Sequence, residues 1–297
     1  MSSSVNMFSA QLQPYYRLMR LPAVFSAISN IVAAHLIVTQ GQIEWQLLLP
    51  LILASALLYT GGMVLNDCFD IEEDRRDRPA RPLPAGVITL RHAQRLGGAL
   101  LISGLVVTAL VGATQFVIAL ILVTLIIAYN AGVKKTPFGA PLMGACRLTN
   151  WLLALSIVDL TMSVGLLALP IFFYVTSLTL LSQIETTAHT KMAIYACAVG
   201  MMITAITLVL LNATDLLPHS WALLLVGAGL TLILQRLYHA LNELTPANIQ
   251  QAVTTLVLGI IPLDAIMVFA GAQWWGGVVV ISLWFCARLY ARRLAIT

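Results

Sequence analysis

An all-α polytopic membrane bundle is the fold class predicted by this 297-residue chain, and three observations carry the prediction. Hydrophobic residues make up 60% of the sequence, charged residues only 9%, and the mean hydropathy is +0.92, far from the balance of a water-soluble domain. Apolar runs of membrane-crossing length recur from one end of the chain to the other. Basic residues gather in alternate connections between those runs, as orientation in a bilayer demands.

A helix needs about 20 residues to cross roughly 30 Å of hydrocarbon. Nine runs form the predicted core: 21–38, 47–66, 95–112, 115–130, 143–161, 163–182, 192–211, 219–237 and 251–271. A tenth run, 275–290, reads equally as a crossing or as an interfacial return helix, with Arg288, Arg292 and Arg293 favouring a cytoplasmic end. The opening MSSSVNMFSAQLQPYYRLMRLP lacks the layout of a secretory signal and reads as an interfacial lead-in held on the cytoplasmic side by Arg17 and Arg20.

With that start inside, the connections 67–94, 131–142, 183–191 and 238–250 share one side. They or their borders hold the arginines after Asp74, Lys134, Lys135, Lys191 and Arg236, while the opposite connections are nearly free of Arg and Lys. No low-complexity linker or strong repeat divides the chain, so residues 1–297 are expected to form one integral membrane domain. The expected location is a bacterial inner membrane, with these loops in the cytoplasm. A net charge of +4 confined to span borders argues against nucleic acid as a partner. Cys68, Cys146, Cys197 and Cys286 are too scattered for a metal knuckle or disulfide framework.

Charge is concentrated at one place. Of twelve acidic residues, six lie between Asp67 and Asp77, in NDCFDIEEDRRDRPARPLPAG. Asn66, Asp70 and Asp74 recur every four residues, which puts an amide and two carboxylates along one helical face at the end of a span. Magnesium prefers oxygen donors and is commonly held by a few carboxylates together with substrate phosphates. The spacing therefore suggests a site for a divalent metal and a diphosphate, with Asp67 and Asp77 either completing it or capping and solvating the helix. Glu72, Glu73, Arg75 and Arg76 read as a water-facing network.

Pro79, Pro82, Pro84 and Gly86 oppose a continued helix and shape the following loop. Its Arg78 and Arg81 are candidates for phosphate contacts, because guanidinium forks make paired charge-assisted bonds. A second basic constellation is YNAGVKKTPFGAPLMGACRLTNW, where Lys134 and Arg147 are the candidates for diphosphate and Lys135 for loop anchoring. Tyr129, Asn130 and Asn150 could orient substrate or finish interfacial hydrogen bonds. In SLTLLSQIETTAHTK, Glu185 could bind a second metal or deprotonate an acceptor and His189 could position it; both also read as a polar helix end. For Asp264, in GIIPLDAIMVFAGAQ, a local hydrogen bond around Pro262 is the expectation.

These segments resemble the UbiA superfamily of intramembrane prenyltransferases. NDCFDIEEDRRDRPARPLPAG is similar to the family's first Asp-rich motif and arginine-proline loop, and YNAGVKKTP with Arg147 resembles further family features. The resemblance implies a UbiA-like bundle in which Asn66, Asp70 and Asp74 bind Mg²⁺-diphosphate and Arg78, Lys134 and Arg147 bind the headgroup. It implies transfer of an isoprenoid group from a prenyl diphosphate to a hydrophobic or hydroxylated small-molecule acceptor, releasing pyrophosphate within membrane lipid. The chain departs from the family at the second Asp-rich motif, where SQIETTAH offers Glu185 and His189 in place of an Asp pair. That segment more closely resembles the EboC-like branch, which implies a polar hydroxylated acceptor. The alternative from another functional class is a noncatalytic prenyl-lipid binding or transport protein on the same bundle.

Overall fold

The computed structural model describes residues 13–186, 188 and 190–296, with side chains described through Tyr290. Helices dominate, and no strand occurs among the described residues. In chain order they are α1 (Leu21–Val38), α2 (Trp45–Phe69), α3 (Ile71–Asp77), α4 (Leu90–Val111), α5 (Ala113–Asn130), α6 (Gly139–Leu155), α7 (Met162–Leu166), α8 (Leu169–Ser182), α9 (Met192–Ala213), α10 (Leu223–Asn242), α11 (Pro246–Gly271) and α12 (Trp274–Ile296). Among the described residues, eight helical segments are long and apolar enough to cross a membrane. The 17-residue α6 and the shorter apolar part of α12, Trp274–Tyr290, lie outside that set.

Every predicted run coincides with helix, but two differ from the structure in their bounds. The run predicted at 143–161 becomes α6, which starts at Gly139 and ends at Leu155. Beyond it, the Thr161 side chain accepts a hydrogen bond from the Val164 backbone N–H and caps α7, so Thr161 belongs to the next start. The run predicted at 163–182 is divided between α7 and α8 because Pro170 sits at the beginning of α8, the position where a missing N–H costs least.

The spans pack as lipid-bathed bundles do, with apolar side chains covering both the interior and the outer face. Leu110, Leu224 and Leu232 point outward, as residues meeting hydrocarbon should. The most buried span is α1, which packs against α2, α6, α11 and α12. Small residues allow close approach: a Cβ at Gly144 would lie 2.7 Å from the Phe172 carbonyl oxygen, so α6 and α8 meet nearly backbone to backbone.

The segment after α3 is a fixed cover. Its turns are closed by backbone hydrogen bonds from Arg81 to Arg78 and from Ala85 to Arg81, and Gly86 adopts φ +73°, which favours glycine. Leu83 and Ile88 insert into a small apolar cluster with Leu18, Val64, Cys68, Ile71 and Ala93. The prolines end the helix and these two anchors hold the loop against the mouth of the bundle. The four cysteines are free; Cys68, Cys146 and Cys197 are buried and Cys286 is exposed.

Candidate active site

The backbone carries the four-residue ladder through the junction between α2 and α3. Asp70 N–H donates to the Asn66 carbonyl (3.0 Å), Asp74 to Asp70 (2.8 Å) and Arg78 to Asp74 (2.8 Å). Asn66, Asp70, Asp74 and Arg78 are thus stacked one turn apart, as their spacing predicts.

Their side chains divide into two neighbouring clusters. In the first, the Lys134 ammonium from the short 3₁₀ turn Val133–Lys135 donates to Asp70 Oδ1 (2.5 Å) and Asn66 Oδ1 (3.1 Å). Asn66 Nδ2 donates to the other Asp70 oxygen (3.1 Å). In the second, Arg81 lies 2.6 Å from Asp74 Oδ2 and 3.6 Å from Asp67 Oδ1, and Arg20 donates to that same Asp67 oxygen at 2.7 Å. Asp67 and Asp74 are buried, so they need these cations. Arg78 joins Arg17, Arg20, Asp67, Asp77 and Arg81 around an open basin of about 590 Å³.

Outside both clusters, Arg75 pairs with Glu72 (2.6 Å) and Lys135 with Glu73 (2.8 Å). These are the solvated pairs expected of that face, although Lys135 reaches across from the next connection. The hydrogen bond from Lys135 holds the Glu73 carboxyl below the usual carboxylate range, and Glu73 in turn raises Lys135.

Below the first cluster, a cavity of about 220 Å³ runs between α1, α2, α5 and α6. Arg20, Asn66, Tyr129, Asn130, Arg147 and Asn150 supply its polar wall, while Met63, Leu122, Ile126 and Met143 supply apolar surface. Arg147 lies over the Tyr59 ring, 4.9 Å from its centroid, and donates to Ser26 Oγ (2.9 Å) and Asn30 Oδ1 (3.3 Å). Asn150 accepts from Ser55 Oγ (2.7 Å) and donates to the Ala27 carbonyl (3.1 Å); Asn130 donates to the Gly62 carbonyl (3.2 Å).

The donor chemistry fits a divalent cation at Asn66 and Asp70, because two hard oxygens already converge on one cationic group, the Lys134 ammonium. Asp74 turns instead to Arg81. Among the described residues, no three His, Cys, Asp or Glu side chains form a metal-ready group.

Two anticipated participants stand apart. Glu185 lies in a half-buried turn after α8 and does not line the cavity, and His189 lies outside the described residues. The orientation rule accounts for Arg20 as an anchor alone, and nothing in the local spacing singles out Tyr59, Ser26 or Asn30; the cavity or its Arg147 network uses each of them. Asp264 departs from the local bonding its sequence suggests. Rather than bonding locally near Pro262, its carboxylate accepts from Ser29 and Asn30 of α1 and from Trp151 of α6.

A sequence profile described as the UbiA prenyltransferase family matches residues 27–243. A digeranylgeranylglyceryl phosphate synthase from Saccharolobus solfataricus is 34% identical over 134 residues, which are 45% of this chain and 48% of the relative. One of the same name from Methanoculleus marisnigri is 36% identical over 115 residues, 39% of this chain and 40% of the relative. The chain spans about half the length of these relatives. Among solved structures, one described as giving insights into digeranylgeranylglyceryl phosphate synthase in membranes superposes with a TM-score of 0.69 at 22% identity, covering 88% of this chain and 99% of the other. A UbiA homologue from Archaeoglobus fulgidus bound to GPP and Mg²⁺ superposes with a TM-score of 0.59 at 15% identity, covering 86% and 99%. Both show that the folds agree.

Proposed function

We propose, from the premise that this chain belongs to the UbiA prenyltransferase family, that it transfers an isoprenoid group from a prenyl diphosphate to a hydroxyl-bearing acceptor within the membrane. The observation that carries the reading is the join between the Asn66–Asp70–Lys134 cluster and the part-apolar cavity beneath it. A charged mouth over an apolar slot suits a molecule with an anionic head and a hydrocarbon tail.

In this reading, Lys134 and Arg147 contact the diphosphate and Arg78 and Arg81 approach it from the cover loop. Tyr129 and Asn150 shape the cavity beside the reacting end. Asn66 and Asp70 would hold Mg²⁺, which when bound would neutralise charge on the departing diphosphate, while Asp74 stays paired with Arg81 beside them. The bond between the prenyl C1 and the diphosphate oxygen breaks, its electron pair leaving with pyrophosphate. The acceptor oxygen bonds to C1 and gives up its proton. Lys134 and Arg147 favour the first event by placing positive charge where the leaving group gains negative charge. That proton passes to the departing pyrophosphate, a base that the reaction itself supplies.

The names of the relatives make a prenylated glyceryl phosphate the first acceptor class to examine. The basin bordered by Arg17, Arg20, Arg78 and Arg81 supports a second phosphate near the first. The test is incubation of purified protein with Mg²⁺, a series of prenyl diphosphates and both glyceryl phosphate and neutral alcohol acceptors, followed by mass spectrometry. A prenyl ether with equimolar pyrophosphate supports the reading. Tight prenyl diphosphate binding without product across the series would replace it with lipid binding or transport.

A further inference from the structure

Asp264 is a carboxylate with no exposed surface, inside the membrane-spanning α11. Such a group is costly in a span unless donors surround it, and three do. Ser29 Oγ donates to Oδ2 at 2.5 Å, Asn30 Nδ2 to the same oxygen at 2.8 Å, and Trp151 Nε1 to Oδ1 at 3.3 Å. Ser29 and Asn30 come from α1 and Trp151 from α6, one helical turn beyond Arg147.

The consequence lies in the Asn30 amide. Both Asp264 oxygens act as acceptors here, and the one beside Asn30 takes the Nδ2 donor, which fixes the Asn30 NH₂ toward Asp264. The Asn30 carbonyl oxygen must then face the other way, where it accepts from Arg147 NH1 at 3.3 Å. Ser26 Oγ holds the second guanidinium nitrogen at 2.9 Å while donating its own proton to the Ala23 carbonyl. Arg147 is therefore held by two α1 acceptors, one of them oriented from α11.

We infer that Asp264 is a positioning residue for the headgroup site, acting through Asn30 to hold the Arg147 guanidinium against the cavity that receives the diphosphate. The inference rests on the reading of Arg147 as a diphosphate contact. Replacing Asp264 by Asn supplies an amide that can donate as well as accept. The Asn30 amide then loses its fixed sense and can turn its own NH₂ toward the guanidinium, setting donor against donor.

Four purified proteins test this: wild type, Asp264→Asn, Arg147→Lys and the double variant. Each is assayed for geranylgeranyl diphosphate affinity with Mg²⁺ present and for its unfolding midpoint. Asp264→Asn is expected to weaken binding about tenfold, the scale of a lost hydrogen bond to a charged group. In the Arg147→Lys background, the same change is expected to have less than about twofold effect, because coupled residues are not additive. A purely architectural carboxylate would instead lower the unfolding midpoint equally in both backgrounds and leave the affinity losses independent.

Wild-type affinity in folded Asp264→Asn, or losses that multiply in the double variant, would overturn the inference alone. Unchanged affinity in Arg147→Lys would overturn both it and the headgroup assignment, and that outcome is visible before Asp264 is altered. If Asp264→Asn does not yield folded protein, Asn30→Ala removes the link directly and is read by the same cycle with the same expectations.

Discussion

Lys134 and Asp70 meet at 2.5 Å across two connections that are 64 residues apart in sequence. The contact joins the segment after α2 to the turn after α5, and it places an ammonium where the Asn66 and Asp70 oxygens converge. Lysine and a divalent cation would therefore share these ligands, and the balance between them can be measured.

Lys134→Met should lower the Mg²⁺ concentration needed for half-maximal prenyl diphosphate binding, because the competing ammonium is gone. It should also weaken the limiting affinity about tenfold through loss of a charge-assisted contact. A Mg²⁺ titration of binding separates the two effects. An unchanged Mg²⁺ midpoint would show that the lysine and the metal use different oxygens.

Arg81 serves two buried carboxylates, Asp74 at 2.6 Å and Asp67 at 3.6 Å. Arg81→Ala should destabilise the protein by about 2 kcal/mol, since Asp74 loses its near partner. Arg81→Lys should recover only part of this, because both contacts are made by one guanidinium nitrogen, Nη1, at the end of a side chain longer than lysine's. Unfolding midpoints in detergent without substrate provide the check, and a stable Arg81→Ala protein would remove the cation from that supporting role.

Gly139 lies against the backbone of the Lys134 turn. A Cβ there would sit 2.7 Å from the Lys134 carbonyl oxygen and 2.8 Å from its Cα, so Gly139→Ala must displace the turn that presents the ammonium. Turnover should fall at least about tenfold, the expected scale for losing one charged contact, while helix content stays unchanged. Full activity in Gly139→Ala would mean that the position of this turn is unimportant.

The Glu73–Lys135 pair should contribute little. Glu73 is shifted down, so its contribution exists above its unfolded value and is lost as pH falls through the lowered folded value. Lys135 is shifted up, so its contribution exists below its unfolded value and is lost as pH rises through the raised one. The contact is intact at neutral pH, but both side chains are well exposed and screened by solvent. Glu73→Gln should therefore alter neutral-pH turnover by less than about twofold, as read from initial rates.

Local spacing made the first half of the site legible. The ladder from Asn66 to Arg78 follows helical geometry, and Lys134 was recognisable as a loop cation in a chain that otherwise avoids charge. Asp264 was not legible, because its partners lie 235, 234 and 113 residues away and only the packing of α1, α6 and α11 reveals them. Arg20 was obscured for a related reason. A basic residue at a span border satisfies the rule for orientation, while its bond to Asp67 bridges 47 residues. The starts of α7 and α8 depended on Thr161 and Pro170, whose capping and helix-starting positions outweighed continuous hydropathy.

Prenyl transfer at the Asp70 site is tested by pyrophosphate release paired with prenylated product in wild type and Asp70→Asn. Wild type should release one pyrophosphate per product when Mg²⁺ is present. Folded, membrane-inserted Asp70→Asn should lose at least about a hundredfold of that rate, the scale set by removing one strong electrostatic group from a reaction centre. Undiminished, Mg²⁺-dependent product formation in Asp70→Asn would contradict the account.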